Sequence, residues 1–102
     1  MVYLLQVDFT MDGPFGEKMS EAFQDLAHSI NDEEGVIWKI WTENELAKEA
    51  GGVYLFETKE NAEKYLAMHS VRLTSFGITN IRGKIFAVNE ALSSINHSPI
   101  HR

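Results

Sequence analysis

The run Val36-Ile37-Trp38-Lys39-Ile40-Trp41-Thr42 decides how the rest of the chain is read. It gathers both tryptophans of the protein into one short β-branched and aromatic segment, between Gly35 and the polar Glu43-Asn44-Glu45. That composition predicts a strand. Successive side chains on a strand point to opposite faces, so Val36, Trp38 and Ile40 are expected on one face and Ile37, Lys39 and Trp41 on the other. Each face then carries a tryptophan, whereas a strand with one wet face alternates more cleanly. Both faces need a cover.

Outward from this strand, the upstream segment Val2 to Thr10 alternates, with Tyr3, Leu5, Val7 and Phe9 on one side and Leu4, Gln6 and Asp8 on the other. It predicts the first strand. Met11-Asp12-Gly13-Pro14 has turn chemistry. Phe15, Met19, Ala22, Phe23, Leu26, Ala27 and Ile30 then recur at spacings of three and four, predicting one amphipathic helix that ends near Asn31. Downstream, Ala47 to Gly52 reads as a glycine-ended hairpin link into a third strand, Val53 to Phe56. Thr58 is placed to cap a second helix carrying Ala62, Tyr65, Leu66, His69, Leu73 and Phe76, closed by Gly77. Ile78 to Val88 predicts the fourth strand. Residues 89–102 form a C-terminal extension: a short helical turn, then His97-Ser98-Pro99-Ile100-His101-Arg102, expected to fray.

The order is β-α-β-β-α-β, which predicts a single α+β domain over residues 1–102: a ferredoxin-like antiparallel sheet with both helices on one face. The other face would carry Leu4, Gln6 and Asp8, one tryptophan, and either Tyr54 with Phe56 or Val53 with Leu55. So much apolar surface marks an interface, and a second copy of the same sheet is the simplest cover. A homodimer through the open face is expected.

Composition narrows the function classes. The 102 residues are 44% hydrophobic and 24% charged, ordinary for a globular domain. Net charge is −6, which disfavours nucleic acid and anionic membranes as partners. There are no cysteines, so thiolate nucleophiles, disulfides and Cys-ligated metals are excluded. The N-terminal residues lack the basic region of a signal peptide, and no run has membrane-spanning length, so a cytoplasmic protein is expected. Metal-ligand spacings, a phosphate loop and a nucleophile motif are missing, and no cofactor or metal is expected.

Several runs together carry a resemblance: Gly13-Pro14-Phe15-Gly16, Trp38-Lys39-Ile40-Trp41-Thr42-Glu43, Ala50-Gly51-Gly52-Val53-Tyr54-Leu55-Phe56 and Val88-Asn89-Glu90-Ala91-Leu92-Ser93. Over nearly the whole chain they resemble the small bacterial YdhR-type family of proposed monooxygenases, in the dimeric α+β barrel superfamily. The resemblance implies two ferredoxin-like subunits packed sheet to sheet. That superfamily includes cofactor-independent oxygenases of aromatic polyketide synthesis and haem-degrading oxygenases. For this chain it implies a monooxygenase acting on a small aromatic or polyketide-like compound in an apolar pocket. The alternative is a non-catalytic binder of a small molecule, or of haem, on the same fold.

The candidate site residues follow. One reading packs one tryptophan under the helices and the other in the dimer interface. The functional one makes the barrel-facing indole a wall for a flat aromatic ligand, with Trp41, which shares a face with Lys39, expected in the pocket and Trp38 in the core. His69 lies on the apolar stripe of the second helix, with Tyr65 a turn before it and Arg72 a turn after. It is either a satisfied structural group or the general base for a phenol or enol, and haem-degrading relatives use a histidine of this helix for iron. Arg72 or Arg82 could stabilise negative charge on oxygen, and Arg82 could equally be a rim or interface residue. Tyr54 could donate a hydrogen bond to substrate or merely pack across strands. His28 suits the end of the first helix, while His97 and His101 are expected to be inert.

Overall fold

The computed structural model describes residues 1–100, and these form eight regular elements in order: β1 (Tyr3–Thr10), α1 (Gly16–Ala22), α2 (Gln24–Ile30), β2 (Val36–Asn44), β3 (Glu49–Phe56), α3 (Lys59–Ser75), β4 (Thr79–Ala87) and α4 (Glu90–Ile95). The strands make one antiparallel sheet in the order β2-β3-β1-β4. This is the ferredoxin-like arrangement, with β1 and β3 at the centre. Their central place explains their composition: Leu5, Val7, Tyr54, Leu55 and Phe56 are all buried.

Register assigns the faces. Leu5 stands opposite Tyr54 on one side and Ile85 on the other, so these three point the same way, towards the helices. The main core forms there, from Leu5, Val7, Phe9, Tyr54 and Phe56 against Met19, Ile30, Ala62, Tyr65 and Leu73. Each large side chain fully buried there contributes about 1.5–3 kcal/mol. Helix α3 begins where the Asn61 N–H donates to Thr58 Oγ1 at 3.0 Å, and ends before Gly77, whose φ of +83° suits a residue without Cβ.

Four expectations need correction. First, the helix predicted over 15–30 is broken at Phe23, whose φ of −109° and ψ of 16° leave the helical region. Hydrogen bonds from the Phe23 N–H to Met19 and from the Ala27 N–H to Phe23 carry the chain across the break. Second, Gly51 and Gly52 belong to β3, and the turn before it falls earlier, around Glu45–Lys48. A Cβ at Gly51 would run into the Val7 carbonyl, so glycine here serves close strand approach rather than a turn.

Third, β2 does not alternate throughout. Val36 pairs with Phe56 and Trp38 with Leu55, leaving Ile37 as the extra residue of a bulge. Val36 therefore joins the helix-side core with Lys39 and Trp41, while Ile37 joins Trp38 on the open side. Trp38 is thus not beneath the helices. Fourth, the extension does not fray over its described part. Asn89 caps α4 by accepting from the Leu92 N–H at 3.0 Å, and beyond it Ile100 is buried against Val2 and Leu55 on the open face. The Trp38 indole N–H donates to the Pro99 carbonyl at 2.7 Å. His101 and Arg102 lie outside the described residues.

The tail covers only part of that face. Val53 and Leu55 are the β3 residues on it, and Ile40 and Phe86 remain about half exposed, at 54% and 48%.

Candidate active site

Between the sheet, α1–α2 and α3 lies a cavity of about 180 Å³. An apolar cavity of roughly 150 Å³ accommodates benzene, so this one has room for about one substituted aromatic ring. Its wall is Phe9, Met11, Met19, Phe23, Leu26, Trp41 and Leu73, with Phe76 and Ile78 near the end of α3. The break at Phe23 sets that ring parallel to Trp41, with centroids 6.1 Å apart and planes 14° apart. Met19, Phe23 and Trp41 also line an outer groove towards Gln24 and Glu43, so the stacked pair stands between groove and cavity.

Of the residues lining the cavity, only Lys39 and His69 carry ionisable side chains. Lys39 projects from β2 between two aromatic faces, its Nζ 3.4 Å from the Trp41 ring centre and 4.7 Å from that of Tyr54. Gly52 makes this possible, because a Cβ there would come within 2.7 Å of Lys39 Cε. The ring faces favour an ammonium. Burial and the nearby Arg72 guanidinium oppose it more strongly and bring the amine down to about 7.

His69 is buried, 2% exposed, on the inward stripe of α3. Arg72, one turn on, donates to His69 Nδ1 from Nη2 at 2.9 Å and from Nε at 3.2 Å. That bond requires a lone pair on Nδ1 and puts the ring proton on Nε2. Burial, with Lys39 and Arg72 adding, lowers His69 to about 3, so the ring is neutral at physiological pH. A neutral ring whose Nδ1 is occupied and whose Nε2 carries hydrogen is a donor. It is poorly suited to be the general base.

Arg72 also donates to the Tyr65 hydroxyl at 3.4 Å, and Tyr65 donates to Tyr54 at 3.2 Å. Burial pushes the pKa of both phenols up, so both stay protonated at neutral pH. The chain Arg72–Tyr65–Tyr54 forms a polar layer behind His69 and Lys39 rather than part of the cavity wall.

Of the residues singled out from sequence, Trp41 and His69 meet at the cavity, and Tyr54, Tyr65 and Arg72 form the supporting layer. Trp38 and Arg82 lie elsewhere. Trp38 is on the open face, and Arg82, directly opposite Asp8 on that face, pairs with Glu49 at 2.8 Å. Sequence reasoning passed over Lys39. The available signal was a lysine two residues from Trp41, on the same face of an otherwise apolar strand, where a charge has no ordinary place. The cavity does not suit haem: a porphyrin exceeds about 180 Å³ several-fold, and the Arg72 bond to Nδ1 leaves a hydrogen on His69 Nε2, the nitrogen that would ligate iron.

An antiparallel ferredoxin-like sheet with its helices on one face defines the fold class to which this chain is similar. The YJCS structural-genomics protein superposes with a TM-score of 0.63 at 15% identity, over 87% of this chain and all (100%) of that one. A single-site mutant of SnoaB, a cofactor-independent oxygenase from Streptomyces nogalater, superposes with a TM-score of 0.61 at 12% identity, over 86% and 93% of the two chains. A proposed antibiotic biosynthesis monooxygenase from Deinococcus radiodurans gives 0.54 at 10% identity, over 87% and 93%. At such identities these likenesses show the fold. No curated protein matches in sequence. Residues 4–99 match the family model described as "Putative mono-oxygenase ydhR", and the chain belongs to that family.

Proposed function

We propose that the protein is a cofactor-independent monooxygenase acting on a small aromatic or polyketide-like compound bound in the cavity. The observation that carries this is an apolar, one-ring-sized space whose reactive group is a lysine amine balanced near neutrality. Such chemistry needs a substrate that supplies its own electrons. The Lys39 amine takes the proton of a phenol or enol, and the resulting oxyanion stays beside the new ammonium and the His69 Nε2–H. The anion passes one electron to O₂, the radical and superoxide join at carbon, and the hydroperoxide loses water to leave a carbonyl. For a hydroquinone the balance is one quinol and one O₂ giving one hydroxyquinone and one water. The protein contributes orientation, a base and exclusion of bulk water.

Catalytic roles thus fall to Lys39 and His69, with Arg72 positioning His69 through Nδ1 and Trp41 walling the ring. We further propose that the uncovered part of the open face, with Ile40 and Phe86, packs on a second copy in a homodimer, and that the protein works in the cytoplasm. Light scattering in solution tests the first of these, where a monomer would count against it. Activity is tested with an oxygen electrode and a panel of single-ring hydroquinones and catechols. Consumption of one O₂ per substrate without accumulating peroxide is expected. Uptake no faster than each compound's own autoxidation would remove the proposal.

A further inference from the structure

Lys39 in the cavity wall and Arg72 in the layer behind it lie close to one another without an acidic partner. The ion pairs among the described residues are the Met1 amino group with Glu90, Lys64 with Glu60 and Arg82 with Glu49, and neither Lys39 nor Arg72 belongs to one. Carboxylates are not scarce, since the chain has 15 acidic residues against 9 lysines and arginines. None is set here. The groups facing Lys39 are Trp41 on its own strand, Tyr54 from β3, and His69 and Arg72 from α3, while α1–α2 and β1 present Met19, Phe23, Leu26 and Phe9. The Glu33 carboxylate is felt at Tyr65 and not at Lys39. Partly buried positive groups without a counter-charge are costly, and an occupant bearing negative charge supplies what the fold withholds.

We propose that the cavity is an anion site for single-ring aromatic acids, with the carboxylate held by Lys39 Nζ and His69 Nε2–H, the ring against Trp41 and Phe23, and one proton taken up at Lys39 on binding. This rests on the same cavity as the oxygenase proposal, the carboxylate standing where the ionised oxygen of a phenol or enol would. Above neutral pH the free amine is largely unprotonated, with its pKa at about 7, and an anion beside it restores the ammonium. Proton uptake and affinity are therefore linked. Above pH 7, benzoate affinity falls by about tenfold per pH unit until the raised pKa is reached.

The test is titration calorimetry of the whole protein at pH 8 with benzoate and its neutral isostere benzamide, each in two buffers of different ionisation enthalpy. Benzoate is expected to bind at least tenfold more tightly, with uptake approaching one proton per site, while benzamide takes up none. Lys39→Met and Lys39→Gln should both abolish the preference, with near-ultraviolet dichroism reporting that the fold is intact, and Lys18→Met should leave it unchanged. Equal affinity for the two ligands, benzoate binding without proton uptake, no binding of either, or a preference surviving in both folded Lys39 variants would each overturn the proposal. The readout involves no oxidation. Loss of anion preference with oxygen uptake intact sinks this inference alone, and the reverse sinks the oxygenase alone.

Discussion

The two sides of the sheet each hold one tryptophan of β2, and they treat it differently. On the helix side Trp41 stacks on Phe23 and underlies an amine that has no acidic partner. On the open side Trp38 gives its indole hydrogen to a backbone carbonyl of the tail, and a surface cation on the far edge strand, Arg82, is paired with Glu49. On that side the indole and the guanidinium both find partners within the chain, as on a structural surface. The other leaves Lys39 and the Nε2–H of His69 without a partner among the described residues, as a site awaiting an occupant does. Two indoles three positions apart on one strand thus acquire different work from what faces them.

The comparison breaks most sharply at Lys39. In Lys39→Met, oxygen consumption with a competent quinol is expected to fall by about 100-fold or more, the usual scale for losing a positioned base. The wild-type rate should rise through pH 7 and level off above it, since the neutral amine is the working form, and this limb should vanish in the variant. A rate and pH profile like wild type would place the chemistry elsewhere. On the open side the largest effect is structural. Ile100→Ala removes a side chain only 6% exposed between Val2 and Leu55, and should cost about 2 kcal/mol in urea unfolding with no change in turnover per folded molecule. A loss below about 0.5 kcal/mol would show that the tail is not part of the fold's stability.

Between these lies a pH effect specific to the helix side. His69 titrates at about 3 in the folded protein and at its ordinary 6.5 when unfolded, so the unfolded chain binds the extra proton over that interval. Stability attributable to His69 is complete above pH 6.5 and declines as pH falls towards 3, by at most about 1.4 kcal/mol per unit. Unfolding of His69→Gln should show a shallower acid limb. Equal slopes would mean that His69 is less buried in solution.

The order of elements was legible because periods of two and of three to four residues alternate cleanly along the chain, and the caps Thr58 and Gly77 bracket α3. The face of each tryptophan was legible only in part. Counting by twos from Val36 groups Trp38 with Ile40 correctly, but the bulge at Ile37 reverses the two residues before them, and nothing local marks it. The tail was missed because Ser98-Pro99-Ile100 has no periodicity; its place depends on a long-range bond to Trp38 and a buried isoleucine. At the site, helical spacing brought out Tyr65, His69 and Arg72. The role of Lys39 depends on Gly52 across the strand pair and Arg72 from a helix, which no single segment of sequence displays.

Arg82 provides the smallest and most discriminating contrast. It is a cation like Lys39, but it lies on the open face, and its partner Glu49 is 43% exposed beside its own 48%. An exposed pair of this kind contributes under about 1 kcal/mol and is screened by salt. Arg82→Ala should therefore change stability by less than about 0.5 kcal/mol and turnover by less than about twofold, with the small stability loss disappearing in high salt. If turnover instead fell as far as in Lys39→Met, the reacting oxygen would have to lie on the open face. The division of labour between the two sides would then be reversed, because an arginine already satisfied by a carboxylate would be outdoing an amine that has none.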